Sequence, residues 1–360
     1  MTTNRFLSSG VYGCVYYPSY NCSGIPINNN NTVTKLVKYD FTSKTEIKIG
    51  QILKNYKNNF VLIENSCKIQ KDNLQKSDMT PKCKLLAKDR ELKKQYILLY
   101  SKYIKSKELA DYLDNSSFNT IIKTYIELCK RIDIMVHKGI IHHDLHFGNI
   151  LIGENGQSYV IDFGLSMIKS FFFKNNKLNY PYLKEAIFSY SPTWKYWSLE
   201  YHFVCFLINE GNVLTPTIIS YTIDKYLSEH KIIKKLGSNY VDQFKITTNK
   251  FFNKFVNKNK EDVIRALFDY SDTWDFYKIA LHYMDICNEM NITKTPFYLL
   301  LIIMIHPNPE FRPTPLEIKL LNDIIVRNYE PSERKVSFIS KSLSKELKNP
   351  IDVKKSFEFK

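Results

Sequence analysis

The sequence predicts an α+β protein in which a small, strand-rich N-terminal part precedes a larger, mostly helical one. Three observations carry this reading. Before about residue 104 the apolar residues come in short runs, among them Thr32–Lys38 with its period of two and Tyr96-Ile97-Leu98-Leu99-Tyr100. Over Phe118–His137 they recur at 118, 121, 122, 125, 126, 129, 132, 135 and 136, which is helical spacing kept up for five turns. After that helix comes a hairpin, formed by Ile150-Leu151-Ile152, the turn Gly153-Glu154-Asn155-Gly156, and Tyr159-Val160-Ile161. Asp144, Asn149 and Asp162 flank it. Asp144 can take a proton from an attacking hydroxyl, and Asn149 and Asp162 offer hard oxygen ligands to Mg²⁺.

Length and composition bound the answer. A chain of 360 residues can build one large two-lobed domain or two ordinary ones, and its hydrophobic content of 44% is ordinary for a globular protein. The longest apolar run, 297–305, is too short to cross a bilayer, so no membrane segment is expected. No apolar stretch follows Met1-Thr2-Thr3-Asn4-Arg5, so no secretory signal is expected either. The seven cysteines are scattered without a C-x-x-C pair, which predicts reduced thiols and a cytoplasmic setting. Cys67 and Cys83 read as core or loop cysteines rather than as half of a metal site. The net charge of +15 could attract nucleic acid or an anionic membrane. Its lysines, however, are spread along the chain among many Asn and Ile residues, as an AT-rich coding sequence would leave them. With no RNP-type aromatic motif or zinc-finger spacing, no specific nucleic-acid site is expected.

The segment His142-His143-Asp144-Leu145-His146-Phe147-Gly148-Asn149, followed by Asp162-Phe163-Gly164, resembles the catalytic and metal-binding loops of the protein kinases, His-x-Asp-x-x-x-x-Asn and Asp-Phe-Gly. The likeness runs from about Phe6 to Thr314 with its motifs in the family's order. It implies a two-lobed protein-kinase-like fold, with an N-lobe over 1–104, a C-lobe over 105–330 carrying a helical insert at about 201–274, and a flexible basic tail over 331–360. It also implies an ATP-dependent serine/threonine protein kinase, similar to those of large DNA viruses, placed in a host cytoplasm or virion. ATP with Mg²⁺, or Mn²⁺, would be the cofactors, and protein Ser/Thr hydroxyls the acceptors.

Along the chain, Gly10 and Gly13 lie between two apolar runs in what resembles the glycine-rich loop, with Ser8 in place of its first glycine. By that resemblance the two glycines cover the ATP phosphates and Val15 presses on the adenine. In Thr32–Lys38, alternation puts Val33, Lys35 and Val37 on one face, where a lysine is costly unless paired. The resemblance makes Lys35 the phosphate-gripping lysine, with Lys38 as the alternative, Val33 as the small apolar residue beside it, and Glu46 on the next helix as its partner. Gly50, one turn after Glu46, departs from the family, which buries a large apolar residue there. The stretch 71–84 reads as an extended polar loop. Lys102-Tyr103-Ile104 reads as the hinge, and Leu151 completes the nucleotide-binding set. Gly139 should end the long helix.

After Gly164, 165–197 reads as the activation segment. Trp197-Ser198-Leu199-Glu200 stands where kinases carry Ala-Pro-Glu, and Arg312-Pro313-Thr314 resembles the family's closing signature, so Glu200 and Arg312 are expected to pair inside the large lobe. Asp275 is expected to brace the catalytic loop. The insert should be folded, with helices near 221–227 and 241–268. Two departures concern the loop itself. His143 replaces the arginine that binds an activation-loop phosphate, and His146 replaces a lysine that donates to the transferred phosphate. His-x-Asp-Leu-His-x-Gly-Asn also occurs in kinases of aminoglycosides and choline, so a small-molecule kinase and a nucleotide-binding pseudokinase remain as alternatives.

Overall fold

The computed structural model describes residues 5–328 apart from 11–12, 28, 80–82, 88, 90–91 and 115. The basic tail at 331–360 and the loop residues Val11 and Tyr12 lie outside the described residues. The chain forms two compact units, Met1–Ser116 with Phe147–Ile168, and Ser117–His146 with Lys169–Lys360.

In the first unit, β1 (Arg5–Ser9), β2 (Gly13–Tyr17), β3 (Thr32–Lys38), β4 (Ile63–Ile69) and β5 (Tyr96–Lys102) make an antiparallel sheet of order β1-β2-β3-β5-β4. The period of two in β3 feeds two cores. Leu36 joins Cys14, Tyr16 and Leu98 on one face, and Val37 joins Ile97 and Leu99 on the other. The second face is covered by α1 (Phe41–Ile52), which starts at a capping box between Asp40 and Ser43. Gly50 has a plain reason in this helix. A Cβ there would lie 2.7 Å from the carbonyl oxygen of Ile63, so only glycine lets β4 pass this close.

The other face corrects the expectation for 71–84. The polar stretch contains α2 (Lys71–Lys76) and leads into α3 (Lys84–Ala87), and Leu74, Met79, Leu85 and Leu86 are buried against the sheet. A few apolar residues among many lysines suffice, because one apolar face against the core is all that a surface helix needs. The thiol expectation is overturned here as well. Cys14 is bonded to Cys83 and Cys22 to Cys67, with S–S distances of 2.01 and 2.12 Å. The partners are 69 and 45 residues apart in sequence, so spacing gave no sign of the pairing. Cys129, Cys205 and Cys287 are free and buried. The unit is completed by β6 (Ser106–Glu108), α4 (Leu109–Leu113), β7 (Ile150–Gly153) and β8 (Ser158–Val160), with the three strands in the order β6-β7-β8.

The second unit is helical. Its centre is α5 (Phe118–His137), capped by Ser117 and ended by Gly139 at a φ of 65°. A short hairpin follows at 173–178, with Asn175 and Asn176 both at positive φ, and then α6 (Tyr180–Ala186) and α7 (Leu199–Asn209). The insert is folded into α8 (Pro216–Glu229), α9 (Lys231–Lys234), α10 (Ser238–Asn253) and α11 (Lys260–Phe268). The helix expected near 241–268 is therefore two helices, parted by a turn in which Asn257 takes a φ of 56°. Last come α12 (Trp274–Glu289), α13 (Pro296–Met304) and α14 (Pro315–Asn328). Among the described residues no helix is long and apolar enough to cross a membrane.

Candidate active site

In the first unit the site is built on the α1 face of the sheet. Val15 lies opposite Lys35 in the β2–β3 ladder, so the two share a face, and Val33 is on that face two positions away. The Lys35 ammonium meets both oxygens of Glu46, at 3.1 and 3.0 Å, and Oδ1 of Asp162 at 2.7 Å. Burial by itself would lower the Lys35 pKa, but the two carboxylates outweigh it and hold the amine above its ordinary value. Burial pushes Glu46 upward, against the pull of Lys35. Lys38, half-buried, belongs to the opposite side of the β3 alternation.

Gly13 is required by contact rather than by turn geometry, since a Cβ there would come within 2.7 Å of both the Leu36 carbonyl oxygen and a Val37 methyl. Gly10 closes the turn by donating its N–H to the Gly13 carbonyl at 2.8 Å.

Asn149 ends a single 3₁₀ turn, Phe147–Asn149, and is buried. Its carbonyl accepts the Ile161 N–H at 3.0 Å, which ties it to the backbone leading into Asp162. Asp162 has a φ of 61° and accepts the Gly164 N–H on Oδ1 at 3.4 Å. Phe163 is buried edge-on against Phe60, with ring centroids 5.9 Å apart. That anchor fixes a backbone conformation which a residue other than glycine holds only at a cost. Leu151 lies on β7 opposite Tyr159. An amide oxygen and a carboxylate suit a hard divalent ion, which fills its other positions with phosphate oxygens and water. Among the described residues no cluster of three or more His, Cys, Asp or Glu forms a separate metal centre.

Asp144 belongs to the helical unit. The loop before it is clamped by α12. Asp275 accepts the N–H of His142 at 2.7 Å and that of His143 at 2.8 Å, and Lys278 donates to the His143 carbonyl at 2.7 Å. Lys278 was not visible as a site residue in the sequence. Its spacing from Asp275, three positions on a helix, was the signal that could have found it. The Lys278 ammonium is 3.7 Å from Oδ1 of Asp144, and Nε2 of His146 is 3.8 Å from Oδ2.

His143 has a φ of 65° and is buried, its ring 4.2 Å from that of Tyr201, 5.3 Å from Phe188 and 5.4 Å from Trp197. Desolvation, followed by the nearby Lys278 charge, drives its pKa well below the ordinary value, so the ring is neutral at pH 7. Further along, Arg312 forks onto both oxygens of Glu200, with Nη2 to Oε2 at 3.1 Å. Trp274 donates to the same carboxylate at 3.1 Å, and Arg312 also donates to the His306 carbonyl at 2.9 Å. Both charges are buried, and each has hydrogen-bond partners that offset the cost of leaving water.

Residues 89–182 match the model of a family described as the ABC1 atypical kinase-like domain. The match includes Asp144, Asn149 and Asp162, and stops short of Lys35, Glu46, Glu200 and Arg312. No curated protein matches the chain. The matched stretch, with an antiparallel sheet in one unit and helices in the other, makes this a kinase-like protein with an α+β, two-lobed kinase-like fold. Kinase-like activity of this kind uses ATP.

Proposed function

We propose that the protein is an ATP-dependent phosphotransferase whose acceptors are serine and threonine hydroxyls of proteins. The observation that carries the reading is Lys35 held between Glu46 and Asp162, a half-buried lysine whose charge is paired on the protein side and still open to phosphate oxygens. In this reading Lys35 grips the α- and β-phosphates, ordered by Glu46. Gly10 and Gly13 cover the phosphates, while Val15, Val33 and Leu151 line the adenine. Asn149 and Asp162 hold Mg²⁺ or Mn²⁺, an ion that offsets the charge of the transferring group when bound. Asp144 orients the acceptor hydroxyl and takes its proton.

The protein acceptor is supported by the buried Glu200–Arg312 fork, which the small-molecule kinases generally lack. The atypical character of the matched family favours the small-molecule reading, in which aminoglycoside- or choline-like alcohols are the acceptors. Of the two settings expected, cytoplasm and virion, the two disulfides favour the less reducing one, a virion.

Radiolabelled ATP offered with a basic protein, casein, and a panel of amino alcohols separates these readings. Label in either protein supports the proposal, and label only in the alcohols overturns its acceptor class. Asp162→Asn should abolish transfer while the melting temperature stays unchanged. Near-wild-type turnover in that variant would remove the metal assignment.

A further inference from the structure

The clamp on the catalytic loop holds a charge whose place needs explaining. Asp275 and Lys278 stand one helical turn apart on α12 and take the N–H and the carbonyl of His143 respectively. A neutral donor would serve that carbonyl as well. Instead the ammonium of a lysine with only 4% of its surface exposed sits there, although burying a cation is costly unless it is paired. The charge it faces is Asp144 Oδ1 at 3.7 Å. Burial pulls the Lys278 pKa down, and Asp144 and Asp275 oppose that pull. The groups facing the amine are Asp144, Asp275 and the neutral His143, all within the helical unit.

We propose that Lys278 is a positioning residue for phosphoryl transfer, one that fixes Asp144 by its charge as well as fixing the loop by its hydrogen bond. With Oδ1 held toward the ammonium, the orientation of the Asp144 carboxylate is set. His146, standing where a lysine is usual, has its Nε2 3.8 Å from Oδ2 of Asp144. The cation beside Asp144 thus comes from α12 rather than from the loop itself. In the step served, the acceptor oxygen bonds to the γ-phosphorus and its proton passes to Asp144. The bond from that phosphorus to the bridging oxygen breaks, and its electron pair leaves with ADP. The inference rests on the kinase reading above.

The test separates charge from packing. Lys278→Gln keeps an N–H for the His143 carbonyl and removes the charge. It should melt within a few degrees of wild type, lose about 100-fold in kcat, and leave KM for ATP within about twofold. Lys278→Ala opens a cavity in which propylamine should restore kcat at least tenfold, while 1-propanol should not. A Lys278→Gln kcat within threefold of wild type, or equal rescue by amine and alcohol, would overturn the inference and leave the kinase reading intact. A wild-type protein that transfers no phosphate to any acceptor would overturn the reading and the inference with it.

Discussion

In the N-terminal unit Lys35 keeps 16% of its side chain open and Asp162 keeps 39%, whereas in the helical unit Arg312 and Glu200 keep 1% and 0%. Both sets are carboxylate–cation clusters, and both join residues far apart in sequence. The first is assembled on a sheet face from β3, α1 and the end of a hairpin, and its carboxylate still reaches solvent. The second is enclosed by Trp274, Thr273, Tyr277 and the His306 carbonyl, so every polar atom is spent on a neighbour. A charge left partly open can exchange partners for a ligand, while one fully enclosed can only hold the fold. The same chemistry is therefore poised for binding in one unit and for stability in the other, and substitutions should tell the two apart.

The largest effect is expected at Lys35. Lys35→Met should lower turnover by about 10²-fold or more, because a clamp on the phosphates is lost. Lys38→Met, on the other side of the β3 alternation, should leave turnover near wild type. A paired kinetic comparison with the reverse outcome would move the phosphate-gripping role to Lys38.

In the helical unit the effect should instead appear as unfolding. Glu200→Ala or Arg312→Ala leaves one buried charge without its partner and should cost about 3–5 kcal/mol. Denaturant unfolding measures it. Unchanged midpoints in both variants would show that the pair is not a brace.

Acid should sharpen the contrast between the units, because the buried histidines lie in the helical one. Burial drives His202, His230 and His282 to pKa values of about 3, and His143 lower than its ordinary value as well. In the unfolded chain these groups bind protons near pH ~6.5. The unfolded state therefore binds more protons below that pH. Stability from this source is complete above about 6.5 and falls as pH drops toward 3, by about 1.4 kcal/mol per pH unit for each histidine. Melting temperatures taken from pH 7 to 5 should decline, and His202→Phe should make the decline shallower. A flat profile would show that these rings are not buried neutral.

The smallest effect is expected from the activation segment. His143 is neutral and enclosed by Tyr201, Phe188 and Trp197, so it offers no charge to a phosphate on the exposed hydroxyls of Ser189, Ser191 or Thr193. Lysines nearby, such as Lys174 and Lys177, replace a forked arginine poorly. Phosphatase treatment, verified by mass spectrometry, should change turnover less than twofold. A tenfold loss would mean that another group does the arginine's task.

The sequence by itself determined the elements whose signal is local. The alternation of Thr32–Lys38, the helical stripe of Phe118–His137 with Gly139 at its end, and the hairpin from Ile150 were all legible, because a period of two or 3.6 and a glycine stop are written in neighbouring residues. Motif spacing singled out Asp144, Asn149 and Asp162 as candidates in the same local way. What only the tertiary structure decided depends on partners brought together across the chain. No run of residues announces that Cys14 meets Cys83, that α2 and α3 cover a sheet face, or that Gly50 yields to the backbone at Ile63. Lys278 is the plainest case. In sequence it is one lysine among many in a basic chain. It becomes distinct only when folding removes it from water, since burial leaves its charge a choice of few neighbours and makes Asp144 one of them.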